Sequence, residues 1–364
     1  MKILHLAAGN RWTGAAAPAF AEVEALRESG IDAHYAYAGG YKLETKLRGV
    51  PFAHPIIEKE QNPLAFLRSV RAIRRLVSGI GIDILHAHLS YDQSLASFMA
   101  RLASRRRPLL LARTYHSHRA LRNDTFNSSF VRRSDAIFVI NETFRDVPLL
   151  RGHKVTFTPP PLDTRLFKPE GPDVRAEYGF DSHVRVMTVI GKLSAGRGFE
   201  DAIRIYALVR RVHHASRLMI IGHGEHRPHL ERLARELDVA SGVFFAGYHE
   251  EDLPEHYRAA DVLLFTAAGS DEGHRAIIEV LGCGVPAASY PIPGVHSLLG
   301  PLAPRFVSAG STPESLAPIV LDAFAQPGDD VRRMAIAHAQ HFTFGPAARR
   351  LLAGYTGQEP PPLA

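Results

Sequence analysis

The residues best placed to do chemistry lie in Ser270-Asp-Glu-Gly-His-Arg-Ala-Ile-Ile-Glu-Val-Leu-Gly-Cys-Gly-Val-Pro286. This stretch follows an apolar run, Asp261–Thr266, and enters a helix-period segment whose apolar positions include Ile277, Ile278 and Leu281. Asp271 falls in the loop, and Glu279 lies about two turns into the helix. The first N–H groups of that helix, near Gly273, His274 and Arg275, lack intrahelical acceptors and so make a seat for an anion or a hydroxyl-rich ligand. Two acids beside the seat can accept hydrogen bonds from vicinal hydroxyls, as on a ribose or a hexose. The same spacing also suits a structural use, with Asp271 as a helix cap and Glu279 paired to a surface cation.

Gly191-Lys-Leu-Ser-Ala-Gly-Arg-Gly198 likewise sits after a strand-like run and before a helical one. Lys192 and Arg197 flank a glycine-bearing turn, so two cations and a helix start can converge on a diphosphate. The turn lacks the spacing and Lys-Ser/Thr ending of a nucleoside-triphosphatase P-loop. Gly9-Asn-Arg-Trp-Thr-Gly14 opens an Ala-rich helix, and Gly14 leaves room for a ligand there, but the dinucleotide fingerprint Gly-x-Gly-x-x-Gly is absent. Gly222-His-Gly224 is ordinary turn chemistry by itself. His116, in Arg113-Thr-Tyr-His-Ser-His118, ends a strand-like run and is placed to meet a hydroxyl or phosphate; as one of 20 histidines it serves equally as a polar loop residue. No His/Asp/Glu group shows metal-ligand spacing and Cys283 is alone, so neither a metal nor a disulfide framework is expected.

These loops need a scaffold of strands followed by helices. Strand-like runs at 2–6, 31–38, 82–88, 109–115, 136–140 and 155–158 alternate with helical patterns at 17–29, 64–77, 93–103 and 125–133. The pattern restarts with strands at 184–190, 217–221, 243–246, 261–266 and 285–289, and helices at 199–212, 229–237, 253–259 and 276–281. Most of these strands are apolar throughout, as in parallel sheets covered on both faces. Proline-rich 158–163 and 168–172 read as a linker. The expected architecture is α/β: two doubly wound Rossmann-like domains facing across a cleft, residues 1–165 and 166–345, with 346–364 a final helix and tail. At 364 residues with 46% hydrophobic and 22% charged, the chain is neither disordered nor membrane-spanning. Charge is uneven: residues 1–165 hold 24 Lys+Arg against 14 Asp+Glu, a net of +10, and the remainder carry −4. The first half therefore suits an anionic partner.

In their order and spacing these residues resemble the family-four retaining glycosyltransferases of the GT-B fold, over essentially the whole chain. Asp271 to Pro286 resembles that family's Glu-x7-Glu signature, here Asp-x7-Glu followed by Gly-Cys-Gly-Val-Pro-Ala. Val189–Gly198 is similar to its Gly-Arg-Leu-x-x-x-Lys-Gly turn with the two cation types exchanged. Phe244–Leu264, Asp83–His88, Thr114–His116 and Phe342–Tyr355 match further segments, the last being the helix that in this fold returns to the first domain. The resemblance implies that Glu279 holds ribose hydroxyls of a UDP- or GDP-linked sugar. It implies that Asp271 meets the transferred sugar, helped by backbone N–H groups of Gly273, His274 and Arg275. Lys192 and Arg197 would neutralise the leaving diphosphate, His116 would contact the donor sugar from the other domain, and Gly14 would let its loop approach diphosphate or acceptor. Asp271 is one methylene shorter than the family's Glu, and Glu272 beside it is an alternative first acid.

The implied activity is metal-independent hexosyl transfer, without a cofactor, from a nucleotide sugar to a carbohydrate or lipid-linked acceptor. Cell-surface polysaccharide, lipopolysaccharide or glycolipid synthesis is the implied setting. A non-catalytic nucleotide-sugar-binding protein and a nucleotide-sugar epimerase of the same fold are the rival readings. A nucleic-acid partner is not expected, because the basic stretches lack interleaved aromatics and a docking motif. The start is too short an apolar stretch for a secretory signal, so a cytoplasmic protein is expected. The Arg-rich helix 64–77 and the cluster 104–108 fit either peripheral contact with an anionic inner membrane face or a solvated helix face packed on the sheet.

Overall fold

The structure, a computed structural model, describes residues 1–9, 12, 14–59, 62–102, 108–267, 274–325 and 329–363. It divides into two compact units, Met1–Pro161 with Phe342–Pro362, and Leu162–His341 with Leu363. The boundaries read from the sequence, 165/166 and 345/346, fall slightly later than these. Leu162 already packs in the second unit against Gly282, and Phe344 belongs to the core of the first.

In unit 1 the strands β1 (Lys2–Ala7), β2 (Asp32–Ala38), β3 (Ala53–Ile57), β4 (Ile84–Ala87), β5 (Leu110–Tyr115), β6 (Ala136–Val139) and β7 (Val155–Phe157) form one parallel sheet in the order β3-β2-β1-β4-β5-β6-β7. Its helices are α1 (Ala16–Glu28), α2 (Lys42–Leu47), α3 (Pro63–Leu76), α4 (Ser90–Leu102) and α5 (Thr125–Val131). The strand β3 is absent from the sequence reading because Pro55 interrupts it. Proline cannot donate to a ladder, and the fold places it where that matters least, on the sheet edge. Asn62 caps α3 by accepting from the Ala65 N–H at 2.8 Å, and Pro63 occupies its first turn.

Ala65, Ser69, Val70 and Ile73 of α3 are buried, and the helix packs on β3 and α4. Part of the apolar stripe of this basic helix is therefore spent in the core, while Leu64 and Leu67 stay exposed. Arg68 faces outward and pairs with Glu58 through two N–H···O contacts from Nε and one of 2.6 Å from Nη2. Of the other basic cluster, 104–108, residues 104–107 lie outside the described residues. Among the described residues no helix is long and apolar enough to cross a membrane.

Unit 2 carries β8 (Arg185–Ile190), β9 (Ser216–Ile221), β10 (Val243–Gly247), β11 (Val262–Phe265) and β12 (Ala287–Ser289), parallel, in the order β10-β9-β8-β11-β12. Its helices are α6 (Phe199–Val212), α7 (Arg227–Glu236), α8 (Leu253–Ala259), α9 (His274–Gly282), α10 (Val295–Leu299), α11 (Ala303–Phe306), α12 (Pro313–Ala325) and α13 (Asp329–Ala339). The last four have no counterpart in the sequence reading: α10 and α11 are single turns, and Pro318 sits inside α12. Asp261 holds the entrance of β11 by accepting from Arg175, from Arg185 and from the Val186 N–H at 2.7–2.9 Å.

The chain ends by returning to unit 1 as α14 (Phe344–Thr356), stopped by Gly357 in the left-handed region. This helix lies on α1, β6 and β7. Gly354 makes the close approach: a Cβ there would fall 2.3 Å from Phe138 Cε1 and 3.0 Å from Thr156 Oγ1. Phe138 is fully buried between the His86 and Tyr355 rings and has nowhere to move. In an exposed helix, Gly to Ala stabilises by about 1 kcal/mol, whereas overpacking costs about 1–3 kcal/mol. With the Cβ only 2.3 Å from a ring atom that cannot give way, the upper part of that cost applies, and Gly354→Ala is expected to lower stability by about 1–2 kcal/mol. A denaturant titration showing an unchanged or raised midpoint would contradict this packing.

Candidate functional site

In an open parallel sheet ligands collect beyond the strand carboxyl ends where the strand order reverses, because the loops on either side diverge there and helix amino termini point in. In unit 2 the reversal lies between β8 and β11. The loop after β8 is Gly191–Gly198 and the loop after β11 begins at Thr266, so both stretches singled out from sequence leave the sheet at this point. Residues 268–273 lie outside the described residues, and with them Asp271, Glu272 and Gly273.

The two loops are tied together by backbone. Thr266 Oγ1 donates to the Gly198 carbonyl at 2.8 Å. Gly198 itself has φ +77°, and a Cβ on it would lie 2.5 Å from Thr266 Oγ1 and 2.6 Å from the Thr266 carbonyl. On its other side the loop is held by Leu193, whose N–H donates to the His223 carbonyl at 3.0 Å and whose carbonyl accepts from the His226 N–H at 3.1 Å. The cations on this loop stay accessible. Lys192 Nζ is 3.8 Å from Glu225, both side chains well exposed, a pairing too weak to hold it. Arg197 is half-buried and has no ion-pair partner among the described residues. Glu200 and Asp201, in the first turn of α6, are occupied by His226 at 2.6 Å and the Tyr290 hydroxyl at 3.2 Å.

On α9, Glu279 is buried, accepting from Arg275 Nε at 2.5 Å, one turn back, and from the Tyr257 hydroxyl at 3.2 Å. The structural use foreseen for Glu279, pairing with a cation, is thus present, but the cation belongs to the same helix. Tyr257 is a sound donor: burial, and then the Glu279 charge, push its hydroxyl well above the usual phenol range. A carboxylate offers about four lone-pair positions, so two hydrogen bonds leave Glu279 acceptor capacity for a ligand hydroxyl. His274 turns its ring inward, 5.4 Å from Phe265. Sequence reasoning missed Tyr257 and Thr266, which carry no signal beyond belonging to the right segments.

In unit 1 the order reverses between β1 and β4. Gly14, in the loop after β1, takes φ +62°. Asp92 of α4 clasps both strand ends, accepting from the N–H groups of Ala8 at 3.0 Å and Leu89 at 2.8 Å, and burial lifts its carboxyl to about 7. His116 follows β5 but is buried rather than presented as a polar loop residue: its Nε2 is 2.9 Å from His88 Nδ1. Burial, then the Arg113 charge, lower it to about 3, so the ring is neutral. Among the described residues three groups have ligand atoms close enough to share a metal ion: His5, Glu22, His86 and His88, all buried; Glu200, His226 and His229; and His249, Asp252 and His256. The expectation that no such group exists was drawn from linear spacing, which cannot see residues the fold assembles.

Comparison with known proteins agrees on one family. The family described as Glycosyl transferases group 1 matches residues 172–341, and the Glycosyl transferase 4-like domain matches 13–161. A GDP-mannose-dependent alpha-(1-6)-phosphatidylinositol monomannoside mannosyltransferase of Mycolicibacterium smegmatis is 30% identical over 213 residues, 54% of this chain and 55% of its own length. The chain therefore matches only about half the length of that relative. A D-inositol 3-phosphate glycosyltransferase of Mycolicibacterium vanbaalenii is 24% identical over 75% of this chain and 66% of its own length. Among solved structures, HepE of Anabaena in complex with UDP superposes with a TM-score of 0.79 at 17% identity, covering 98% of this chain and 100% of that one. Sucrose-phosphate synthase of Thermosynechococcus elongatus gives 0.76 at 16% identity, covering 98% of each chain. At such identities the likeness is one of fold, GT-B.

The contact of Gly198 with Thr266 has a direct test. An alanine at 198 meets both a left-handed backbone, at about 1–3 kcal/mol, and overpacking of similar size. Gly198→Ala should lower stability by about 3 kcal/mol, read from denaturant unfolding of the full chain; a shift below about 0.5 kcal/mol would show that the two loops are not in contact.

Proposed function

Because the chain belongs to the Glycosyl transferases group 1 family, with a first unit of the 4-like type, we propose that it transfers a hexosyl group from a nucleotide-diphosphate sugar to an acceptor hydroxyl with retention of anomeric configuration. The reading is carried by the reversal point of unit 2, where Lys192 and Arg197 share a loop joined through Gly198 and Thr266 to the segment that leads into α9 and Glu279.

Breaking the anomeric bond builds negative charge on the departing diphosphate. Two accessible cations and a helix amino terminus beside it stabilise that charge as it forms. Glu279, fixed by Arg275 and Tyr257, is a rigid acceptor for the ribose hydroxyls, and the acid at 271 or 272 is assigned to the transferred sugar. The acceptor hydroxyl attacks from the face the diphosphate leaves. Donor nucleotides of the GDP or UDP type fit this reading: one relative is named as GDP-mannose-dependent and one fold neighbour was solved with UDP. A phosphatidylinositol mannoside is named for that relative, which favours a lipid-linked or cell-surface glycan acceptor.

A panel of UDP- and GDP-sugars, scored first by thermal stabilisation and then by nucleoside-diphosphate release with and without acceptor, tests this directly. Glu279→Ala should weaken donor binding about 100-fold through the lost charged hydrogen bonds. Lys192→Ala and Arg197→Ala should leave donor affinity within a few fold and lower kcat by about 100–1,000-fold each, as losing one preorganised transition-state contact does. Wild-type kinetics in all three variants would remove the site, and product formed without any acceptor would replace transfer by epimerisation.

A further inference from the structure

The fold assembles a second constellation that sugar transfer does not use. Parallel pairing sets His5 of β1 directly beside His86 of β4, and the two-residue strand period carries His88 to the same side. Helix α1 covers that side with Ala16, Ala19, Val23 and Leu26, and on this otherwise apolar stripe it places an acid, Glu22, only 1% exposed. Glu22 Oε2 is 3.6 Å from His5 Nδ1 and 3.8 Å from His88 Nε2, while those two nitrogens are 2.9 Å apart. We propose that Glu22, His5, His88 and His86 form a buried site for one divalent transition-metal ion of the Zn2+ class.

Three observations carry the assignment. The first is size. A tetrahedral ion with bonds of about 2.0–2.1 Å separates its ligand atoms by about 3.3 Å, and the three distances above bracket that value; one atom from each of the four residues lies within 4.8 Å of the others. The second is an unmet need. Glu22 Oε2 is buried without a hydrogen-bond partner, an arrangement that costs about 1–3 kcal/mol, more for a charged group. A cation between it and the two imidazoles removes the deficit.

The third is the outer shell. Metal-bound imidazoles hydrogen-bond through their remaining nitrogen, which fixes ring orientation. His5 Nε2 lies 3.3 Å from the Tyr355 hydroxyl and His88 Nδ1 lies 2.9 Å from His116 Nε2, so each has that partner in place. His86 packs its ring 4.5 and 4.6 Å from those of His5 and His88, and joins the set by exchanging one of its own bonds, to Tyr355 or to Thr114. Imidazole with carboxylate suits Zn2+ and its neighbours Co2+ and Ni2+ rather than Mg2+ or Ca2+. The ion would clamp α1 onto β1 and β4.

The full chain is expressed with Zn2+ or Co2+ supplied during folding, since a buried site has no quick entry, and metal is counted by mass spectrometry after gel filtration. Expected are one ion per chain, a visible absorption band of tetrahedral type for the Co2+ form, and a higher Tm than for protein folded under chelator. Glu22→Gln should lose the ion and the Tm increment, yet be at least as stable as the metal-free wild type, because it removes the unsatisfied carboxylate. Exchanging the half-exposed pair, His226→Gln with His229→Gln, should leave the ion bound. Wild-type protein holding less than about 0.1 ion per chain overturns the site, as does metal retained by Glu22→Gln or lost with His226 and His229.

Discussion

Where the loop after β8 meets the start of the loop after β11, two backbones touch with no room for a side chain, Gly198 against Thr266. Parallel sheets direct every strand's carboxyl end to one edge, but that alone leaves neighbouring loops free to splay. Here the Thr266 hydroxyl caps the last carbonyl before α6, so the amino terminus of α6 and the loop backbone that carries Lys192 and Arg197 are fixed against the start of the loop after β11. Electrostatic stabilisation of a leaving group depends on charges that need not reorganise. The glycine is therefore a condition for the chemistry as much as for packing.

Two buried glutamates show how context decides what one residue type can do. Glu279 has an arginine one turn away and a neutral tyrosine hydroxyl, which compensate its burial and still leave oxygen lone pairs to offer. Glu22 has neither. Burial alone acts on it, raising its carboxyl well above the usual range, and the imidazoles facing it are pushed low by the same desolvation. An isolated buried carboxylate either neutralises or finds a cation. The first glutamate is suited to a visiting ligand and the second to a resident one.

Much of this was legible from sequence where physics is local. Phe199–Val212 and Leu253–Ala259 are helices over the spans their periodicity gives, and the apolar runs are parallel strands within one to three residues at most ends. What escaped was non-local or masked by a breaker. Pro55 disguised β3, and Pro318 together with short turns disguised the helices after residue 294. The stretches that carry residues 192, 197, 275 and 279 stand out because strand–loop–helix order announces them, but the Arg275–Glu279 bond does not, since several cations could have served. His5 and Glu22 are separated from His86 by dozens of residues, and only the His-Ala-His alternation at 86–88 hints at convergence. An acid on the apolar stripe of α1 was the overlooked signal.

Unit 1 is also the unit whose chain is interrupted. The hydroxyl of Tyr355, from α14, lies 2.6 Å from His86 Nδ1 and 3.3 Å from His5 Nε2, joining residues 350 positions apart. The core beneath α1 includes Phe344, Ala347, Ala348 and Leu351 from the same helix. Residues 1–161 therefore lack part of their own interior until α14 is present, whereas the body of the second unit, Leu162–His341, is one continuous stretch. Contacts of such separation carry a large loop-closure cost, which must be met before any gain from them. The histidines stand at that junction, so the group most in need of a fixed environment is completed by a residue from α14.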